Sequence, residues 1–148
     1  MTLLQFTILF LILLFFVGGW AFFSYLLTSE MENPDGCAKV EGNCGDTMEL
    51  CFKVEDGRII ETHHWTNGCS ISGQCVEAAA RLAMDKTPSE IKRINMIHIM
   101  DLVGRLPDSH LHCAQLAETT LQKALEDYQQ KLVGAARTTK APKLPALH

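Results

Sequence analysis

The chain has 148 residues, with 13 Lys and Arg against 17 Asp and Glu and a formal net charge of -4, which leaves room for one modest domain and an appendage. The acidic balance, with no basic-aromatic patch along the chain, excludes nucleic acid as a partner class. Six cysteines without a CxxC spacing leave three readings open: a disulfide framework in an oxidising compartment, thiols free for metal in a reducing one, or buried structural side chains.

Residues 1–29 carry no charged side chain. As a helix, the apolar stretch Leu3–Leu27 extends roughly 37 Å at about 1.5 Å per residue, enough to cross a hydrocarbon core of about 30 Å with some tilt. A retained single-pass anchor is expected. A secretory signal peptide would want a basic n-region, a shorter apolar run and a small-x-small cleavage site, and TSEMENP offers none. A misassigned start is the third reading. Lys39 is the first basic residue after the span, so charge bias barely sets the orientation.

The link SEMENPDG has turn chemistry in its Asn-Pro and Asp-Gly steps, and a short strand is expected over Cys37–Val40. Thr47–Val54 alternates, with Met48, Leu50, Phe52 and Val54 on one face and Thr47, Glu49, Cys51 and Lys53 on the other. That is the period of a half-buried strand, and it points Cys51 away from the main apolar face. The hairpin signal Glu55-Asp56-Gly57-Arg58 predicts a second strand from Arg58 to about Trp65, returning antiparallel. His63 and His64 read as polar strand positions there, and Trp65 as cover for the core or a site rim. Asn67-Gly68 ends the strand and delivers Cys69 into a loop or helix start.

Ile71, Cys75, Ala78, Ala79 and Leu82 recur at helical spacing within Ser70–Asp85. Thr87-Pro88-Ser89-Glu90 is a capping box with proline at the first helical position, opening a short helix to about Asn95. Ile97–Gly104 reads as helical, and the last helix runs from about Cys113 to Leu132 along a stripe of Cys113, Ala117, Thr120, Leu121, Ala124, Tyr128 and Leu132. Beyond it the proline-bearing basic tail is expected to be disordered.

Cys44 just before a strand, Cys69 just after one and Cys113 at a helix start all sit at element ends, where a rigid scaffold can converge several groups. Helix N-termini lower thiol pKa values, so Cys69 and Cys113 are expected to deprotonate readily. His112, beside Cys113, can ligate iron or zinc as a neutral imidazole. Thiolates suit zinc and iron–sulfur clusters; Asp46, if it reaches the same place, supplies a harder oxygen that holds a cluster less tightly than four thiolates. Spacing alone, without CxxC pairs, favours the bland alternative of buried structural cysteines.

In order and at similar separations, ENPDGCAKVEGNCGDTMEL, WTNGCSISG and LPDSHLHCAQLAE with a following helix ending in EDYQ resemble the iron–sulfur cluster scaffold family of IscU and the NifU N-terminal domain. The resemblance implies an α+β fold, a small antiparallel sheet packed against helices, here preceded by one transmembrane helix. It places cluster-ligand and sulfur-acceptor roles on Cys44, Cys69 and Cys113, makes Asp46 the carboxylate that keeps the cluster labile, and makes His112 an alternative ligand. It implies iron and a 2Fe-2S cluster as what is held, a cysteine desulfurase as sulfur source, and iron–sulfur acceptor proteins as recipients. The scaffold supplies ligands and is not an enzyme. Cys37, Cys51 and Cys75 match no family ligand and read as small apolar side chains.

Two departures from the family matter. The amphipathic N-terminal helix of relatives is replaced by the apolar segment, which leaves desulfurase docking open. The chaperone-recognition stretch Leu-Pro-Pro-Val-Lys reads Leu106-Pro107-Asp108-Ser109-His110 here, which leaves an Hsp70-type chaperone open as a partner. The implied organisation is an anchor at 1–29, a scaffold domain at 30–133 and a disordered tail at 134–148. Because thiolates and iron belong in a reducing compartment, the domain is expected to face the cytoplasm with Met1 outside, on a membrane contacted through residues 3–27. Two alternatives stand beside this reading: a zinc-bound sulfur acceptor, a sulfurtransferase that stimulates the desulfurase, and a secreted disulfide-stabilised domain.

Overall fold

A computed structural model describes residues 3–27, 31 and 33–139. The elements in chain order are α1 (Leu3–Leu27), β1 (Gly36–Glu41), β2 (Thr47–Glu55), β3 (Arg58–Thr66), α2 (Ser70–Ala83), α3 (Pro88–Ile91), α4 (Met96–Val103) and α5 (Leu111–Thr139). α1 and the chain from Asn33 onward are separate units. α1 covers the expected span and is apolar on every side, so it has no polar face to offer water. Among the described residues it is the one helix long and apolar enough to cross a membrane, on length and composition.

The three strands form an antiparallel meander in the order β1-β2-β3. Asp56 and Gly57, at φ 51° and 76°, make the left-handed pair that a two-residue type I′ hairpin requires. Met48, Leu50 and Phe52 of β2 are fully buried with Ile59 of β3, and α5 and α2 cover this side of the sheet. Burial of a side chain the size of Phe52 is worth about 1.5–3 kcal/mol, and its ring meets Tyr128 of α5 edge-on at 5.9 Å. Ala79, Ala83, Ala114, Ala117 and Ala124 are fully buried, their small side chains letting α2 and α5 lie close to the sheet and to each other. Asp127 of α5 accepts a 3.0 Å hydrogen bond from the Cys37 N–H and so ties the edge strand to the helix.

The Thr87 capping box is present in both directions: the Glu90 N–H donates to Thr87 Oγ1 at 3.3 Å, and the Thr87 N–H to Glu90 Oε2 at 2.8 Å. α3 nevertheless stops at Ile91 rather than Asn95. Asn95 is itself the cap of α4, accepting from the N–H groups of Ile97 at 3.0 Å and His98 at 3.3 Å, and a capping residue cannot also extend the helix before it.

α5 is longer than its apolar stripe at both ends. A 3₁₀ turn over Asp108–His110 leads into it at Leu111, and it continues through Gly134 to Thr139. The penalty for one glycine is about 1 kcal/mol, and the following alanines are the best helix formers, so an established helix propagates through them. Gly134–Thr139, expected to open the disordered tail, is therefore helical, and the expectation for 140–148 lies outside the described residues. Trp65 stands over neither core nor site: the register pairs it with outward-facing Glu49, leaving it 46% exposed beneath Lys39 Nζ, 5.0 Å from its ring centroid.

Candidate metal centre

The loop between β1 and β2, the junction between β3 and α2, and the first turn of α5 meet at one end of the sheet. The Gly42 N–H donates to the Asp46 carbonyl at 2.8 Å, closing the loop on itself, and Gly45 takes φ 84° within it. Thr47 presents its N–H to Asn67 Oδ1 at 2.7 Å and accepts from Thr66 Oγ1 at 2.7 Å, locking the two ends of the hairpin together. Asp46 is thereby held over the start of α2, where Cys69 is the capping residue.

Ser72 joins these pieces. Its hydroxyl donates to Asp46 Oδ2 at 2.6 Å and lies 3.3 Å from Cys113 Sγ and 3.6 Å from Cys69 Sγ, and the residue is fully buried. The short contact to the carboxylate is the strongest of the three, and the same hydroxyl faces both sulfurs at longer range. Gly68 makes the approach possible, since a Cβ there would stand 2.6 Å from Asp46 Oδ2 and 2.7 Å from Ser72 Cβ. Any side chain at position 68 would push the carboxylate out of its place.

The two thiols are driven apart in acidity. The Cys69 thiol is held below the ordinary value chiefly by the Ser72 N–H, then by the Ser72 hydroxyl, in the way expected at a helix start. Cys113 was expected to behave alike and does not. Burial pushes it up, the Ser72 hydroxyl opposes this, and the charges of Cys69, Asp46 and Cys44 add to the rise. Its place in the first turn of α5 does not compensate, because the side chain is only 1% exposed.

The ligand atoms of Asp46, Cys69 and Cys113 all lie within 4.8 Å of one another. His112 Nε2 is 3.5 Å from Cys113 Sγ, and its ring stacks on His110 at 6.2 Å between centroids. Cys44 is exposed and outside the tight group; with His112, Gln115 and Leu116 it lines an adjoining cleft of about 210 Å³. Two thiols and a carboxylate, with a third thiol and an imidazole beside them, fit a soft or borderline metal rather than calcium or magnesium. Sequence reasoning missed Ser72 and Gly68. Their signal was faint: a serine on the inward face of an otherwise apolar helix, and a turn glycine directly before a cysteine.

The remaining cysteines divide. Cys75 is a core residue, fully buried, its thiol pushed up to about 11 by burial first and then by the charges of Cys113 and Cys69. Cys37 and Cys51, read from sequence as plain apolar side chains, are joined as a disulfide. The reason is register: antiparallel pairing sets them directly opposite each other, which no sequence spacing shows.

A family model described as the NifU-like N terminal domain matches residues 28–135, leaving α1 outside the match. The iron-sulfur cluster assembly scaffold protein IscU 1 of Archaeoglobus fulgidus is 35% identical over 104 residues, which cover 69% of this chain and 67% of that protein. The iron-sulfur cluster assembly enzyme IscU of Drosophila melanogaster is 35% identical over 89 residues, covering 60% of this chain and 57% of that one. The crystal structure of a nitrogen-fixing NifU-like protein (N-terminal) from Brucella abortus superposes with a TM-score of 0.55 at 18% identity, over 70% of this chain and 85% of that chain, a likeness of fold.

Proposed function

The chain belongs to the family of NifU-like N-terminal domains, and from that premise we propose that it is a scaffold on which a labile iron–sulfur cluster is assembled and then handed to acceptor proteins. The observation that carries this reading is the convergence of Asp46, Cys69 and Cys113 from three distant segments, with Cys44 and His112 on the adjoining cleft. The cluster is cargo. Thiolates of Cys44, Cys69 and Cys113 hold it, and Asp46, an oxygen donor among sulfurs, keeps one position exchangeable. Cys69 is the readier thiolate and stands exposed, where a persulfide sulfur from a cysteine desulfurase can reach it. On this reading the protein supplies ligands and does not turn over a substrate. α1 tethers it as a single-pass membrane protein with the domain on the cytoplasmic side.

Anaerobic reconstitution with iron, sulfide and a desulfurase tests the proposal. The expected product has the absorption of a 2Fe-2S centre, and Cys44→Ser, Cys69→Ser or Cys113→Ser removes it. If all three variants load as well as the parent, these residues are not the ligands. A second reading, a zinc-bound sulfur acceptor that stimulates the desulfurase, draws on the compactness of the three-ligand group, which suits one tetrahedral ion. Metal analysis of protein purified without air separates the two.

A further inference from the structure

The sheet face turned away from the helices carries a second group of sulfur and oxygen donors, which the scaffold function does not use. Register places Cys37, Cys51 and His63 in one row across β1, β2 and β3, and Lys39, Glu49 and Trp65 in the next. Cys37 and Cys51 have Cα atoms 4.0 Å apart. Glu49 divides its carboxylate: Oε2 is 3.5 Å from Lys39 Nζ, and Oε1 is 4.0 Å from Cys51 Sγ. The ligand atoms of Cys37, Glu49 and Cys51 all lie within 4.8 Å of one another.

We propose that this group is a redox-gated site for one zinc-like divalent ion, held by Cys37, Cys51 and Glu49 when the two cysteines are reduced and expelled when their disulfide closes. Two thiolates and a carboxylate are zinc ligands, a water completes a tetrahedral shell, and His63 pairs with Cys51 in the same cross-strand row. The donors stand on paired strands, and the Asp127 bond to the Cys37 N–H fixes the edge strand, so the site needs little ordering on binding. Two thiolates and a carboxylate around a dication leave one negative charge, which Lys39 beside Glu49 offsets.

The ion and the disulfide compete for the same two sulfurs, so each excludes the other. In the opening step a thiol reductant, two R–SH, gives up two electrons and two protons to the Cys37–Cys51 bond; the products are two cysteine thiols and R–S–S–R. Binding of the ion then releases both thiol protons to water. In the closing step the two zinc-bound thiolates reduce a small-molecule disulfide, and with two protons the products are the Cys37–Cys51 disulfide, free Zn²⁺ and two small-molecule thiols.

The test uses the full chain in detergent micelles, with Cys44→Ser, Cys69→Ser and Cys113→Ser in place so that the metal centre described above cannot contribute. Reduced with a phosphine and dialysed against Zn²⁺, this protein is expected to hold one zinc per chain. Oxidised glutathione should release it, together with two glutathione thiols, and adding Cys51→Ser should abolish uptake. In the chain that keeps its other cysteines, Cys37→Ala with Cys51→Ala should lower the zinc content of the reduced protein by one equivalent, a measurement that stands even if the multiply substituted chain folds poorly. No zinc on the reduced protein, or equal zinc with the disulfide closed or with Cys51→Ser, overturns the proposal. Either outcome leaves the cluster-scaffold reading to its own test, which rests on other residues.

Discussion

The Ser72 hydroxyl donates to Asp46 Oδ2 across 2.6 Å and so ties the first turn of α2 to the loop before β2. The two segments lie 26 residues apart in sequence. Ser72, not itself a proposed ligand, thus helps fix where the carboxylate sits; its N–H and then its hydroxyl lower the Cys69 value, and its hydroxyl opposes the rise that burial gives Cys113.

Ser72→Ala removes the hydroxyl and keeps the N–H, which is the larger cause of the low Cys69 value. Cys69 should therefore become less acidic without regaining an ordinary thiol value. Its depressed pKa means the thiolate is populated from below the ordinary thiol range upward. In the variant the rise of iodoacetamide reactivity with pH should shift to higher pH, with a loss of less than about tenfold at neutral pH. A profile unchanged by the substitution would remove Ser72 from this role. Losing a hydrogen bond from a buried hydroxyl to a half-buried carboxylate should also cost about 1.5–3 kcal/mol in denaturant melts.

Asp46→Ala should give a cluster that persists longer and transfers several-fold more slowly to an acceptor apoprotein, because the exchangeable oxygen position is gone. Anaerobic decay of the 2Fe-2S absorption measures the lifetime. A variant that loses its cluster faster than the parent would sink the role assigned to this carboxylate.

Gly68→Ala puts a methyl group where the Asp46 carboxylate and Ser72 Cβ already are. The strain should cost about 1–3 kcal/mol. Cluster loading should resemble that of Asp46→Ala, since the displaced carboxylate is the shared consequence. Circular dichroism and loading together check it: a wild-type loading and lifetime in the folded variant would show that the close approach is dispensable.

The topology is testable in living cells. With α1 as an anchor and the domain inside, alkaline phosphatase fused after the domain should be inactive and a green fluorescent protein fused there should fluoresce. An active phosphatase would place the thiols in an oxidising compartment and remove the argument for iron chemistry.

Much of the fold was legible in the chain, for reasons tied to particular residues. The uncharged run to Leu27, the alternation Met48-Leu50-Phe52, the Asp56-Gly57 turn and the Thr87 box act through neighbours a few positions away, so period and turn chemistry report them. Boundaries were less legible. Asn95 ended one helix by capping another, and Gly134 failed to end α5, because each outcome depends on competition between adjacent helices or on a helix already formed. The site divides along the same line. Cys44, Asp46, Cys69, His112 and Cys113 could be nominated from motif and chemistry. That Asp46, Cys69 and Cys113 share one space, that Cys44 stands to the side, that Cys113 resists ionisation and that Cys37 faces Cys51 were decided by tertiary structure alone. Convergence, burial and strand register are relations between residues far apart in the chain, set only when the sheet and helices pack.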